Sequence, residues 1–390
     1  MYTGFEATQD TFTQDWVNGL PGVVLAVTNK DGIVYSRAAG REKQDAEPPI
    51  SLDSTFWAFS CTKLLTTICA LQCVERRLIR LDDEVGGVLP ELAECSIISP
   101  KPDGSFSLAP AKNKITLRHL LTHTSGLSYD AMHPVLMAWR RSRGEMALVM
   151  SGRLNEAYSL PLLFEPGTSW VYGCGIDWAG VLVERLSGNM RLADYMAENL
   201  FKPLGMKSST FHLSERLDVQ QRLSQMWART ESGILKPIPG PYPADARDDS
   251  GGMGLVTSTV DFMEVLRDLL RDSPLLLEEK TVSEMLTAQF DVGSPQYEGL
   301  VSQEALHKQL TGDASGAPAV AFGLGGLVVM EDVPNLPSGT LTWNGMPNIG
   351  WFVNRDRDLA AIYMSQVLPA SDPQSVKLLG DFWRDVLRPT

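Results

Sequence analysis

Ser60-Cys61-Thr62-Lys63 follows an extended apolar stretch and opens a helical one, in which Leu64, Leu65, Ile68, Leu71 and Val74 recur at helical spacing. Residues three apart on a helix share a face, so the Ser60 hydroxyl and the Lys63 amine project into the same space. A serine is a poor nucleophile until a base takes its proton, and a neutral lysine can do so. Neutrality requires burial or a nearby positive helix end. The tetrad is therefore a candidate nucleophile and base, carried where a strand gives way to a helix.

Working outward, Gly22 to Thr28 and Gly32 to Ser36 are β-branched, apolar runs joined by the turn signal Asn29-Lys-Asp-Gly32, which predicts a hairpin. A short helix is expected over 10–19. Helical patterns follow at 117–121, 131–141, 178–186, 192–200 and 260–270. Strand patterns return at 323–330, 339–343, 350–354 and 359–365, and an amphipathic helix over about 375–387 closes the chain. Strands at both ends with helices between favour one antiparallel sheet built from both chain ends, with a helical lobe beside it. The expected class is α/β, as a single domain over 1–390. Its sheet lobe takes about 1–59 and 320–390 and its helical lobe about 60–319. A cleft between lobes suits a small-molecule site. The Pro/Gly-rich stretch 237–243 and the Gly/Ala-rich stretch 311–319 read as surface loops, candidates for cleft walls.

The chain has 390 residues, 44% of them hydrophobic and 21% charged, an ordinary globular make-up. A formal net charge of −13 argues against a nucleic-acid partner and against docking to anionic membranes. No apolar run approaches the ~18 residues a membrane span needs. Residues 1–15 lack both a basic and an apolar leader region, which predicts an unsecreted, cytoplasmic protein. Five cysteines, Cys61, Cys69, Cys73, Cys95 and Cys174, fit reduced thiols. Cys69 and Cys73 stand four apart on one helix, but no His or carboxylate falls beside them at ligand spacing. They read as packing residues, and neither a metal nor a cofactor is expected.

Four further motifs follow the tetrad in order: Leu120-Leu-Thr-His-Thr-Ser-Gly-Leu127, Tyr172-Gly173-Cys174 after Phe164-Glu-Pro-Gly167, Gly251-Gly-Met-Gly-Leu255 and Trp343-Asn344-Gly345. With Ser-x-x-Lys they form a set that resembles the β-lactamase and penicillin-binding family, in particular its class C β-lactamases and related esterases. The stretches 60–90, 114–129, 172–185 and 341–351 look like the branch of fungal lovastatin-type transesterases, which move an acyl group from a carrier protein to a polyketide alcohol through a serine ester.

The resemblance implies a β-lactamase/transpeptidase-like fold and a serine acyltransferase or esterase acting on a fungal secondary metabolite. Ser60 would be the nucleophile, Lys63 the base and Tyr172 the proton relay. The backbone N–H groups of Ser60 and Met346 would form the oxyanion hole. Trp343, Asn344, Gly345, Cys174 and Cys61 would line the pocket, the two cysteines as thiols flanking catalytic residues. His123 and Glu165 tempt as bases, but both fall in turns that are structural in the family. Two departures favour a neutral ester or thioester over a β-lactam. Cys174 stands where a β-lactamase has the Asn of Tyr-x-Asn, and Trp343 where it usually has Lys. The expected partners are a small-molecule acyl donor and an alcohol acceptor, with an acyl carrier protein as one candidate donor. Transfer to an alcohol and hydrolysis of an ester, lactone or thioester share the acyl-enzyme, so both stay open at this point. A non-catalytic scaffold of the same fold is the reading from another class.

Overall fold

The hairpin expected at the N-terminus is the start of a seven-stranded antiparallel sheet in the computed structural model of the chain, which describes residues 4–44, 49–303, 320–333 and 335–388. Its strands are β1 (Gly22–Thr28), β2 (Ile33–Gly40), β3 (Val320–Phe322), β4 (Leu327–Val329), β5 (Thr340–Gly345), β6 (Ile349–Asn354) and β7 (Leu359–Met364). Their order is β2-β1-β7-β6-β5-β4-β3, so strands from the two chain ends meet where β1 pairs with β7. There Val24 faces Met364 on one side and Ala38 of β2 on the other. The expected α/β class, with its sheet drawn from both chain ends and flanked by helices, is the fold observed.

Burial explains which strands sit centrally. Every residue of β1 is buried, because helices cover both faces of the sheet there. At the edge, β2 leaves Ile33 and Val34 exposed. One layer consists of α1 (Gly4–Gln14) against α5 (Pro373–Leu387), and α5 starts on Asp372, whose carboxylate accepts from Ser375 N at 3.0 Å. On the other side α4 (Thr259–Leu270) packs on β1 and β7, behind an N-cap in which Ser258 Oγ accepts from Asp261 N at 3.2 Å. Between sheet and helical region runs α2 (Thr62–Glu75), in which every residue from Thr62 to Cys73 is buried. A helix apolar on nearly all sides belongs in an interior, and α2 packs in turn against α3 (Gly175–Leu186).

Several expectations change. The first helix spans 4–14 rather than 10–19, because Phe5 is wholly buried against Tyr35 and Phe382, which pins the earlier residues to the sheet and α5. Residues 237–238, read as loop, belong to a strand, Leu235–Ile238, paired with Met226–Arg229. The stretch 311–319 lies outside the described residues. A hairpin of Ser96–Pro100 with Phe106–Pro110 had no counterpart in the sequence reading. Nor had the ribbon that joins Thr55–Trp57 to Val256–Ser258, and this ribbon positions the site. It fixes the backbone just before Ser60, and Ala58 N donates to Leu255 O at 2.9 Å.

Candidate active site

Ser60 sits in a single 3-10 turn, Phe59–Cys61, between that ribbon and α2. Phe59 has φ = +43°, a left-handed conformation that is costly for a bulky residue and persists only where the surroundings enforce it. Two anchors enforce it: the bond of Ala58 to Leu255 before the turn, and Cys61 N donating to Ala58 O at 3.1 Å within it. Ser60 is the second residue of this turn, so its N–H has no carbonyl of the turn to bond. β5 approaches from the other side. A Cβ on Gly345 would lie 2.6 Å from Ala58 O and 3.2 Å from Cys61 Sγ, so only glycine lets the strand come this close. The turn after it, 346–348, carries Met346 and is held by Asn348. Asn348 has φ = +59°, and its amide donates to Val367 O at 2.7 Å and to Pro369 O at 2.8 Å.

Three of the expected residues come together. The Tyr172 hydroxyl lies 2.6 Å from Ser60 Oγ, and Lys63 Nζ lies 3.4 Å from the same atom. Nζ also stands over the Tyr172 ring, 4.8 Å from its centre. Tyr172 reaches this position from a loop clamped to the 122–130 segment. Ser128 Oγ donates to Tyr172 O at 2.9 Å, and Val171 N donates to His123 O at 3.0 Å. A Cβ on Gly173 would fall 2.2 Å from Leu127 O, which makes glycine obligatory after the tyrosine.

His123 belongs to this clamp. It is buried, its Nδ1 accepts from Gly173 N at 3.4 Å, and its ring packs on Tyr172 at 4.8 Å. Burial first, and then the charge of Lys63, push its pKa well below the ordinary histidine value, so the ring is neutral and adds no charge beside Lys63. Glu165 is occupied elsewhere, accepting from Lys112 N at 3.0 Å and Asn113 N at 3.2 Å. Trp343, on β5, completes an aromatic wall, 5.4 Å from the Tyr172 ring and 5.4 Å from that of Phe322. Asn344 and Gly345 follow it along the strand.

The two cysteines expected beside the pocket, Cys61 and Cys174, are both buried, and all five cysteines are free thiols. Cys174 donates its S–H to Ser128 O at 3.5 Å, and Cys61 lies against Gly345. Burial pushes both thiols far above their ordinary pKa, leaving them protonated and inert. Successive helical residues point about 100° apart, so a neighbour of a catalytic residue in sequence need not share its face.

Sequence reasoning missed what holds Lys63. Its Nζ donates to Gly252 O at 2.8 Å and to the Tyr129 hydroxyl at 3.1 Å, and Lys63 is 1% exposed. The Tyr129 hydroxyl in turn donates to Asp177 Oδ2 at 2.7 Å. Asp177, in the first turn of α3, also accepts from Gly252 N at 2.9 Å and from Ser250 Oγ. Burial above all, then the Asp177 charge, raises the Tyr129 phenol well above its usual pKa and keeps it a donor. Gly252 lies in the glycine motif and Tyr129 ends a stretch of the family resemblance, but nothing in the sequence ties either to Lys63. Among the described residues no group of His, Cys, Asp and Glu could hold a metal ion, and no helix is long and apolar enough to cross a membrane.

The β-lactamase family profile matches residues 8–379. An acyltransferase, calJ, of Penicillium decumbens is 37% identical over 368 residues, 92% of this chain and 88% of that protein. A lovastatin esterase of Penicillium rubens is 32% identical over 397 aligned positions, 100% of this chain and 98% of its own. Among solved structures, a simvastatin synthase variant from Aspergillus terreus superposes with a TM-score of 0.88 at 34% identity, covering 98% of this chain and 95% of that one. With the fold, the ordered motifs and these relatives in agreement, the chain belongs to the β-lactamase family and groups there with fungal acyltransferases and esterases.

Proposed function

We propose that this enzyme transfers an acyl group from a thioester or ester to the hydroxyl of a fungal secondary metabolite, through an ester on Ser60. The observation that carries the reading is the approach of Tyr172 and Lys63 to one hydroxyl, at 2.6 and 3.4 Å. Tyr172 and Lys63 form the pair that takes the Ser60 proton as Oγ attacks the acyl carbonyl. The oxyanion is assigned to the N–H groups of Ser60 and Met346, which lie on the 3-10 turn and on the turn after β5. As the bond from the acyl carbon to the donor sulfur or oxygen breaks, the proton passes to the leaving thiol or alcohol. In the second half-reaction the same pair takes the proton of the acceptor alcohol as its oxygen bonds to the acyl carbon, the bond from that carbon to Ser60 Oγ breaks, and the pair returns the proton to Oγ.

The acyltransferase relatives favour an alcohol as acceptor, and the lovastatin esterase of Penicillium rubens keeps water as its rival. Statin-like polyketides are the acceptor class to try first, with donors on small thiols or on an acyl carrier protein. Intact-mass analysis after mixing with a panel of acyl thioesters, with and without such alcohols, reads the acyl-serine and its fate. Faster loss of the adduct with alcohol, with an ester as product, is expected. A decay at one rate whatever alcohol is offered, yielding only free acid, makes the enzyme a hydrolase.

β-Lactams should be poor substrates. The thiol of Cys174 is bonded to Ser128 O and cannot replace the Asn amide that holds a lactam side chain. Trp343 places an apolar ring where the β-lactam carboxylate needs a cation. Nitrocefin hydrolysis should be slow or absent at enzyme concentrations that turn over acyl thioesters readily, and efficient turnover of cephalosporins would refute the assignment of both positions.

A further inference from the structure

Asp177 touches none of the three residues around the Ser60 hydroxyl, yet both groups that fix Lys63 Nζ are bound to it. One is the Tyr129 hydroxyl and the other is Gly252, whose N–H meets Asp177 Oδ1 at 2.9 Å while its carbonyl takes the Lys63 proton. The approach is tight, for a Cβ on Gly252 would lie 2.3 Å from Asp177 Oδ2. The neighbouring Gly251 is tied to α2 through Thr66 Oγ1, which donates to its carbonyl at 2.7 Å. Asp177 itself has no exposed surface. A carboxylate buried at this cost needs full hydrogen bonding, and it has three donors: Tyr129, Gly252 and Ser250.

We propose that Asp177 is the positioning residue of the proton-transfer pair, holding Lys63 through Tyr129 and Gly252 and adding a buried negative charge behind it. This rests on Ser60, Lys63 and Tyr172 being the reacting groups. The consequence follows from charge. Taking away a fixed anion one hydroxyl from the amine disfavours a cation there, so a variant without that charge should show its acid limb at lower pH. The other titratable groups facing this centre are Tyr158, Tyr242, Cys174 and the neutral His123. The first three are held protonated by burial, so Asp177 is the charge that balances Lys63.

Asp177→Asn keeps the size and removes the charge. The expected result is a kcat loss of about 10²-fold, the scale of a small misplacement of reacting groups. The KM for the acyl donor should stay within about twofold, as expected when only transition-state interactions are lost. The acid limb of the kcat profile should move down by about one pH unit. A role confined to holding up the fold would lower the melting temperature and leave that limb where it is, and an unmoved limb overturns the proposal. Should Asp177→Asn not fold, Tyr129→Phe removes one acceptor of the Lys63 N–H while leaving the carboxylate its Ser250 and Gly252 bonds; losing that acceptor also disfavours a cation at Nζ, so its acid limb should shift in the same direction. Where both variants fold, the double variant should be little worse than Asp177→Asn alone, and multiplicative losses count against a shared path. Mass detection of the acyl-serine in the unmodified enzyme separates the two readings. With no adduct on Ser60 the assignment of the site itself fails, whereas an adduct with an unmoved limb removes only Asp177 from the mechanism.

Discussion

Ser60→Ala should abolish formation of the acyl-enzyme and leave the fold untouched. The loss expected is at least about 10³-fold in rate, or about 4 kcal/mol of transition-state stabilisation, the scale for removing a nucleophile from a group that acts as a unit. Stability should barely change, because the backbone bonds that fix the turn, Ala58 N to Leu255 O and Cys61 N to Ala58 O, do not involve the hydroxyl. Tyr172 loses its partner at 2.6 Å but is only half-buried, so water can replace the bond. A fluorophosphonate probe should label the parent enzyme at Ser60 and fail to label the variant. The readout is the mass adduct together with the initial rate of thioester consumption, with a thermal melt as control. Retention of more than about a tenth of the activity would mean that another group carries the acyl chain, since a lost nucleophile leaves far less. An unlabelled parent enzyme would favour the scaffold reading instead.

How much of this was legible beforehand depends on whether the signal is local. Val23 to Val27 and Ile362 to Met364 are strands on composition alone, and the N- and C-terminal runs can pair only if the sheet closes across both chain ends. The Ser60–Lys63 relation follows from helical spacing, and Tyr172 was found through its motif. By contrast the clamp around Lys63 joins residues far apart in the chain: 66 positions to Tyr129, 189 to Gly252, and a further 48 from Tyr129 to Asp177. No periodicity encodes such contacts. An acidic residue in the first turn of α3 reads equally well as a partner for the helix dipole. The first helix was misplaced for a related reason, because Phe5 is fixed by Phe382 at the other end of the chain. Cys61 and Cys174 stand close to Ser60 and Tyr172 in sequence, and the depth at which both are buried has no sequence signal.

Lys63→Ala and Tyr172→Phe should each cost nearly as much as losing Ser60, and the double variant should be little worse than either. The geometry supplies the reason. Nζ stands 3.4 Å from Ser60 Oγ and 4.8 Å from the centre of the Tyr172 ring, and under the proposed mechanism two side chains so placed would act on one proton as a unit. Their effects on stability should differ. Tyr172→Phe removes a hydroxyl whose only protein partner among the described residues is Ser60, whereas its ring, packed on His123 and Trp343, remains. Lys63→Ala strips the side-chain donor from the Gly252 carbonyl inside the protein, and leaving such a group unpaired costs about 1–3 kcal/mol, while Tyr129 keeps only its bond to Asp177. It also leaves the Asp177 charge without its nearest cation. A lower melting temperature is therefore expected for Lys63→Ala and an unchanged one for Tyr172→Phe. Lys63→Met keeps most of the side-chain volume and tests the amine itself. Rates measured well below each variant's melting temperature, in single-turnover acylation from one thioester, give the double-mutant cycle directly. Losses that multiply would mean that one of the two residues only binds substrate, and the proton would then have to travel through the other alone.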